Sequence, residues 1–180
     1  MKKKCRGLTL MELLIAIGLS TFSLLVLVSA YLFVYRHFNE NIQRQNIYLQ
    51  VSYALENMRV HCISATKIDD NSLLKAGVTN TRADFRFRGE QDFNTVTPDD
   101  PADDAWYHYF IDGENNLVLS INDSPQREIL VEKQYAPQIQ FQYAQGAEPN
   151  FLMVTITAGT SNMKISETEG IRFWFVGITK

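Results

Sequence analysis

Cysteine, histidine, proline and cationic charge are all in short supply in these 180 residues, and each shortage removes a class of protein. Two cysteines, Cys5 and Cys62, cannot make a disulfide scaffold. Cys5 follows Lys2-Lys3-Lys4, where a lipoprotein signal needs apolar residues, so it is not read as a lipid-bearing cysteine. The three histidines, His37, His61 and His108, belong to no spaced set such as H-E-x-x-H, and no zinc site is expected. His61 and Cys62 are sequence neighbours on a helical stretch and point in different directions, which suits neither a metal nor a nucleophile pair. G-x-S-x-G, Walker A and G-x-G-x-x-G patterns are absent as well, so the chain is expected not to be an enzyme. With 17 Lys and Arg against 20 Asp and Glu the net charge is −3, and no basic footprint for nucleic acid exists.

The shortage with the largest consequence is local. From Leu13 to Tyr35 no residue carries a charge. Those 23 residues make a helix of roughly 34 Å, enough to cross a hydrocarbon core of about 30 Å. Lys2, Lys3, Lys4 and Arg6 flank the run on one side, so residues 1–7 are expected to stay cytoplasmic and the remainder to lie across the membrane. A cleaved secretory signal has the same basic start, but this run exceeds the usual ~7–15 apolar residues, no A-x-A-like site follows it, and helical sequence continues beyond.

One acid, Glu12, interrupts the approach to the run. A carboxylate near the membrane core costs about 2.5–3.5 kcal/mol on insertion scales, which makes it a functional residue with a partner to find. The segment Arg6-Gly7-Leu8-Thr9-Leu10-Met11-Glu12-Leu13-Leu14-Ile15-Ala16-Ile17 resembles the class III signal of type IV pilin-like proteins. The resemblance implies that a prepilin peptidase cuts between Gly7 and Leu8 and N-methylates Leu8, which stands where the family usually has Phe. It implies also that Glu12, then the fifth residue, serves assembly by neutralising a Leu8 ammonium on its own or a neighbouring chain. Removing the leader takes Lys and Arg from 17 to 13 against 20 acids, a net charge of −7, and leaves Cys62 as the one cysteine. Cys62 is expected to pack as a small buried apolar group.

Beyond the span, 37–66 lacks both Gly and Pro, and Tyr48, Val51, Leu55, Met58 and Cys62 recur every three or four residues. One helix over 8–66, about 88 Å long, is therefore predicted, its second half packed on a domain by that stripe. Gly18 and Ser20 are weak points in it, and Ser29, where many relatives of this kind carry Pro, predicts no break. After Asp69-Asp70-Asn71 the hydrophobic period changes to two. Strands are predicted at 83–88, 106–111, 117–121, 128–132, 139–143, 152–157 and 171–178, with a hairpin turn at 112–116 and a loop over 89–105. The acids of that loop, Asp92, Asp99, Asp100, Asp103 and Asp104, are the best candidates for Ca²⁺, but their spacing fits no EF-hand and a solvated acidic loop is the preferred reading.

The expected fold class is α+β: a long N-terminal helix, transmembrane over 8–36 and amphipathic over 37–66, packed on an antiparallel sheet within a β-rich domain over 67–180. The pilin resemblance implies the same layout. Val51-Ser52-Tyr53-Ala54-Leu55-Glu56-Asn57-Met58-Arg59 loosely resembles the helix of J-type minor pseudopilins of type II secretion and W-type minor type IV pilins. The implied protein is a filament subunit in the inner membrane with a periplasmic domain. Its implied partners are other minor and major pilins and the prepilin peptidase. The alternative is a single-span membrane-anchored periplasmic binding domain that assembles into nothing.

Overall fold

The computed structural model describes residues 9–68, 84–90, 104–143 and 151–172. The chain falls into two compact units, residues 1–43 and 44–180. Helix α1 runs unbroken over Leu10–Ile63. No proline lies in it, and a Cβ added to its one glycine, Gly18, would meet nothing within 4 Å outside the helix's own backbone. The weak points predicted at Gly18 and Ser20 do not interrupt it, and the Ser20 hydroxyl finds its partner in the Ile17 carbonyl at 2.9 Å, within the helix.

In the first unit α1 is exposed along nearly its whole length, with Leu10 at 79%, Leu27 at 70% and Phe33 at 71%. Such a surface is unstable in water unless lipid or protein covers it. Among the described residues α1 is the one helix long and apolar enough to cross a membrane.

The second unit holds the core. Strands β1 (Ala65–Ile68), β2 (Phe85–Glu90), β3 (Asp104–Ile111), β4 (Leu117–Ile121) and β5 (Arg127–Val131) form an antiparallel sheet in that order. A 3₁₀ turn at Lys133–Tyr135 then leads to a three-stranded antiparallel sheet of β6 (Gln138–Tyr143), β7 (Phe151–Thr160) and β8 (Met163–Arg172). The expected α+β layout holds, but with two sheets instead of one. Ala136 at φ 41° and Pro137, which has no N–H to give a ladder, end one sheet before the other begins.

Ile47, Val51, Ala54, Leu55, Met58 and Cys62 face inward from α1 onto Phe85, Phe87, Tyr107, Tyr109 and Phe141. The rings pack closely: Phe85 and Phe141 lie 5.2 Å apart, and Phe87 and Tyr107 lie 5.4 Å apart. Offset aromatic pairs at such separations add about 0.5–1.5 kcal/mol beyond their buried area. The expected stripe is corrected at one end. Tyr48 is 52% exposed, whereas Ile47, about 100° around the helix, is fully buried and anchors the seam.

Several boundaries also differ from expectation. The helix stops at Ile63 instead of Thr66, and β1 takes over because its residues pair with β2. The predicted loop over 89–105 is shorter, since Gly89, Glu90, Asp104 and Ala105 continue the β2–β3 ladder through Gly89↔Ala105 and Glu90↔Asp104. A Cβ on Gly89 would meet Ser64 Oγ at 3.2 Å, so a small residue suits that close approach. Finally, β8 begins at Met163, well before the predicted 171, because its polar residues find a ten-pair register with β7. Positions 173–178 of that predicted strand lie outside the described residues.

Candidate functional site

Gly7 and Leu8 lie outside the described residues, and Glu12 opens the helix. Thr9 is its N-cap residue: the Leu13 N–H donates to the Thr9 carbonyl at 3.1 Å. The Thr9 N–H and hydroxyl both donate to Glu12 Oε2 at 2.9 Å, while the Glu12 N–H donates to Thr9 Oγ1 at 3.3 Å. This is a capping box, T-x-x-E, in which the helix's first free N–H groups are satisfied reciprocally. The four-letter pattern Thr9-Leu10-Met11-Glu12 is the sequence signature of this helix start. The negative carboxylate also sits at the end where the helix dipole favours it.

Polar side chains deeper in the charge-free run are served in the same local way. Thr21 donates to the Ile17 carbonyl at 2.8 Å and Ser23 to the Leu19 carbonyl at 2.9 Å. In lipid each such hydroxyl needs a partner within the protein, and these have one in their own helix.

In the second unit the inner face of α1 carries a hydrogen-bonded chain that sequence reasoning missed. Tyr109 donates its hydroxyl to Asn57 Oδ1 at 2.8 Å, and its oxygen lies 2.8 Å from His61 Nδ1. A phenol has one proton to give, so His61 Nδ1 must be the donor there, which leaves Nε2 as the basic nitrogen. One turn earlier on the same helix, Tyr53 donates to Glu128 Oε1 at 2.6 Å. The chain therefore runs one way, from His61 through Tyr109 to Asn57. The His61 ring stacks on Tyr107 with centroids 4.5 Å apart.

Burial lowers the His61 pKa and Glu128 partly offsets it; burial pushes Tyr109 far up. The hydrogen bond to Glu128 raises Tyr53, so both phenols stay protonated and donating. The signal that could have revealed the chain is Asn57-x₃-His61, one face of a helix, opposite tyrosines two apart on a strand. The arrangement holds α1 to the first sheet. Cys62, next to His61, is buried and its thiol is held neutral by burial, as expected from its sequence.

Asp99, Asp100 and Asp103 lie outside the described residues. Asp104 sits on β3 with its carboxylate almost wholly buried and 2.6 Å from Arg88 Nε. An arginine therefore takes the place that a cation would. Among the described residues no three of His, Cys, Asp and Glu come together to hold a metal.

Around the exposed ridge of α1 in this unit lie two open grooves. One of about 500 Å³ is lined by Arg44, Tyr48, Leu49, Ile165 and Glu167; another of about 320 Å³ is lined by Leu49, Gln50, Tyr53 and Ile129. No family model, curated protein or solved structure matches the chain.

Proposed function

We propose that the chain is a minor pilin or pseudopilin, a non-catalytic filament subunit held in the inner membrane by α1 until it is drawn into a short helical assembly. The observation that carries this reading is the combination of Arg6-Gly7-Leu8 with Glu12 as the last acid before 23 charge-free helical residues. The apolar surface of α1 supplies packing for other subunits' spans, and Glu12 supplies the single charge able to set axial register among them. The exposed ridge at Tyr48, Leu49 and Tyr53 supplies a surface for a partner subunit.

A second reading is favoured by the capping box. Glu12 already has a partner in Thr9 of its own chain, which is what a plain bitopic anchor with a well-capped helix needs. Two measurements separate the readings. Intact mass of protein purified from membranes that contain the peptidase gives a chain starting at Leu8 with one methyl group under the filament reading, and a full-length chain under the anchor reading. Gly7→Ala should abolish the shift. Glu12→Gln keeps a side chain able to close the capping box but removes the charge. Under the filament reading it inserts as well or better yet recovers fewer partner subunits at equal membrane level; under the anchor reading neither quantity changes.

A further inference from the structure

Strand β8 is an edge. Among the described residues it hydrogen-bonds along one side only, to β7, through ten consecutive pairs without a shift. In an antiparallel pair alternate residues turn their N–H and C=O groups away from the neighbour, so about half of its ten residues offer both groups at the free side. Such a row is a template for one more strand, and the usual guards of a proline, a bulge or a short length are missing from β8. The inner face of the strand, Met163, Ile165, Glu167, Glu169 and Ile171, alternates with exposed residues from Lys164 to Arg172. Between that inner face and Tyr48 and Leu49 of α1 lies the open groove of about 500 Å³. A strand added to β8 would send alternate side chains into it.

The charges on β8 select what can pair there. Along the strand they run Lys164 on the outer face, Glu167 and Glu169 on the inner face and Arg172 on the outer face, a charge pattern that is the same from either end. A second copy of β8 laid antiparallel over its full length would set Lys164 against Arg172 and Glu167 against Glu169, like on like at each charged position. In the shifted registers the two acids meet only apolar residues or another acid, since the inner face of β8 holds no cation. Inward-pointing acids guard an edge against such self-pairing. They leave it open to a strand of the opposite pattern, with acids at its ends and two cations between. Room for those cations exists: Glu169 lies 3.9 Å from Arg59, which Glu56 holds more closely at 2.6 Å, and Glu167 makes no ion pair among the described residues.

We propose that the free edge of β8 binds an extended segment of another protein by strand addition. Two cations of that segment lie opposite Glu167 and Glu169, acids lie opposite Lys164 and Arg172, and apolar side chains pack against Ile165 and into the groove beside Tyr48. Backbone hydrogen bonds supply the attachment, and the order of charges supplies the choice of segment. The inference concerns the second unit alone and stands whether or not the chain assembles into filaments.

The test uses two end-capped peptides of one composition, E-V-T-K-T-K-T-V-E and its charge-reversed form K-V-T-E-T-E-T-V-K, with binding to the full chain in detergent read by fluorescence anisotropy. The first should bind at least tenfold more tightly than the second. On binding it should slow amide exchange in β8 and leave β1 to β5 as they were. The fourfold variant Lys164→Glu, Glu167→Lys, Glu169→Lys, Arg172→Glu should invert the preference, a gain that misfolding cannot produce. Glu167→Gln, with an unchanged thermal transition, should weaken binding of the first peptide. Equal binding of the two peptides, no binding of either, protection gained outside β8, a preference unchanged in the fourfold variant or full binding by Glu167→Gln would overturn the proposal. Protection of β8 that grows with the concentration of the chain alone would overturn it too, by assigning the edge to a second copy.

Discussion

Leu55 and Tyr48 lie seven residues apart on α1, yet one is 6% and the other 52% exposed, and their substitutions should separate accordingly. Leu55→Ala removes buried methyl groups facing the aromatic cluster and should cost about 2–5 kcal/mol in chemical denaturation. Tyr48→Ala should fall within about 0.5 kcal/mol, as for a surface position without a structural role. His61 and His108 set a pH dependence of the same unit. Burial lowers both pKa values in the folded state, so as pH falls the unfolded chain takes up protons first. Stability present above the ordinary histidine pKa of about 6.5 is lost as pH drops through it toward the folded values. The groups facing His61 are Tyr107 and Tyr109 from β3, Glu128 from β5 and Asn57 from its own helix, while Asp84, Arg86 and Asp123 surround His108. The thermal midpoint should fall between pH 7.5 and 5.5, and His61→Gln should flatten part of that slope. An equally steep slope in the variant would assign the effect elsewhere.

At the scale of elements, the β7–β8 hairpin depends on Gly159. A Cβ there would meet the Met163 carbonyl oxygen at 2.1 Å and Lys164 Cα at 2.8 Å, both backbone atoms that cannot step aside. Gly159→Ala should therefore destabilise by about 1–3 kcal/mol, measured by denaturation, with the loss concentrated in amide protection of β7 and β8. The β3–β4 turn is tied differently: Asp112 Oδ1 accepts from the Glu114 and Asn116 N–H groups, and Asn115 takes φ 67°. Asp and Asn favour such turns through short side-chain bonds to the backbone, which is why this hairpin was readable from Asp112-Gly113-Glu114-Asn115-Asn116. β8 was not readable, because Lys164, Ser166 and Glu167 carry little strand preference and only their register with β7 holds them extended.

For the whole molecule, the solubility of the two units should differ sharply. A chain beginning at Phe38 lacks the charge-free run and should be soluble without detergent, with a sheet-rich circular dichroism spectrum and a cooperative transition. The full chain should partition with membranes. A fragment that aggregates or melts without cooperativity would mean that the second unit needs the first 37 residues for its fold.

How much was legible follows from where each signal lives. A membrane-length apolar helix depends on composition and length along one segment, so residues 13–35 by themselves determined it, and Glu12 stood out as the acid immediately ahead of that charge-free run. Helix continuity likewise follows from the absence of proline before Ile63. Strand existence was set by period-two patterning at Phe85, Phe87, Tyr107 and Tyr109, whose alternate residues are buried. Pairing, by contrast, is a relation between distant residues. That the strands divide into two sheets, that Ile47 and not Tyr48 closes the seam, and that a one-way hydrogen-bonded chain joins His61 through Tyr109 to Asn57 were decided only by tertiary structure. Each depends on which backbone edges and which helix face meet, and a local pattern of side chains does not encode that meeting.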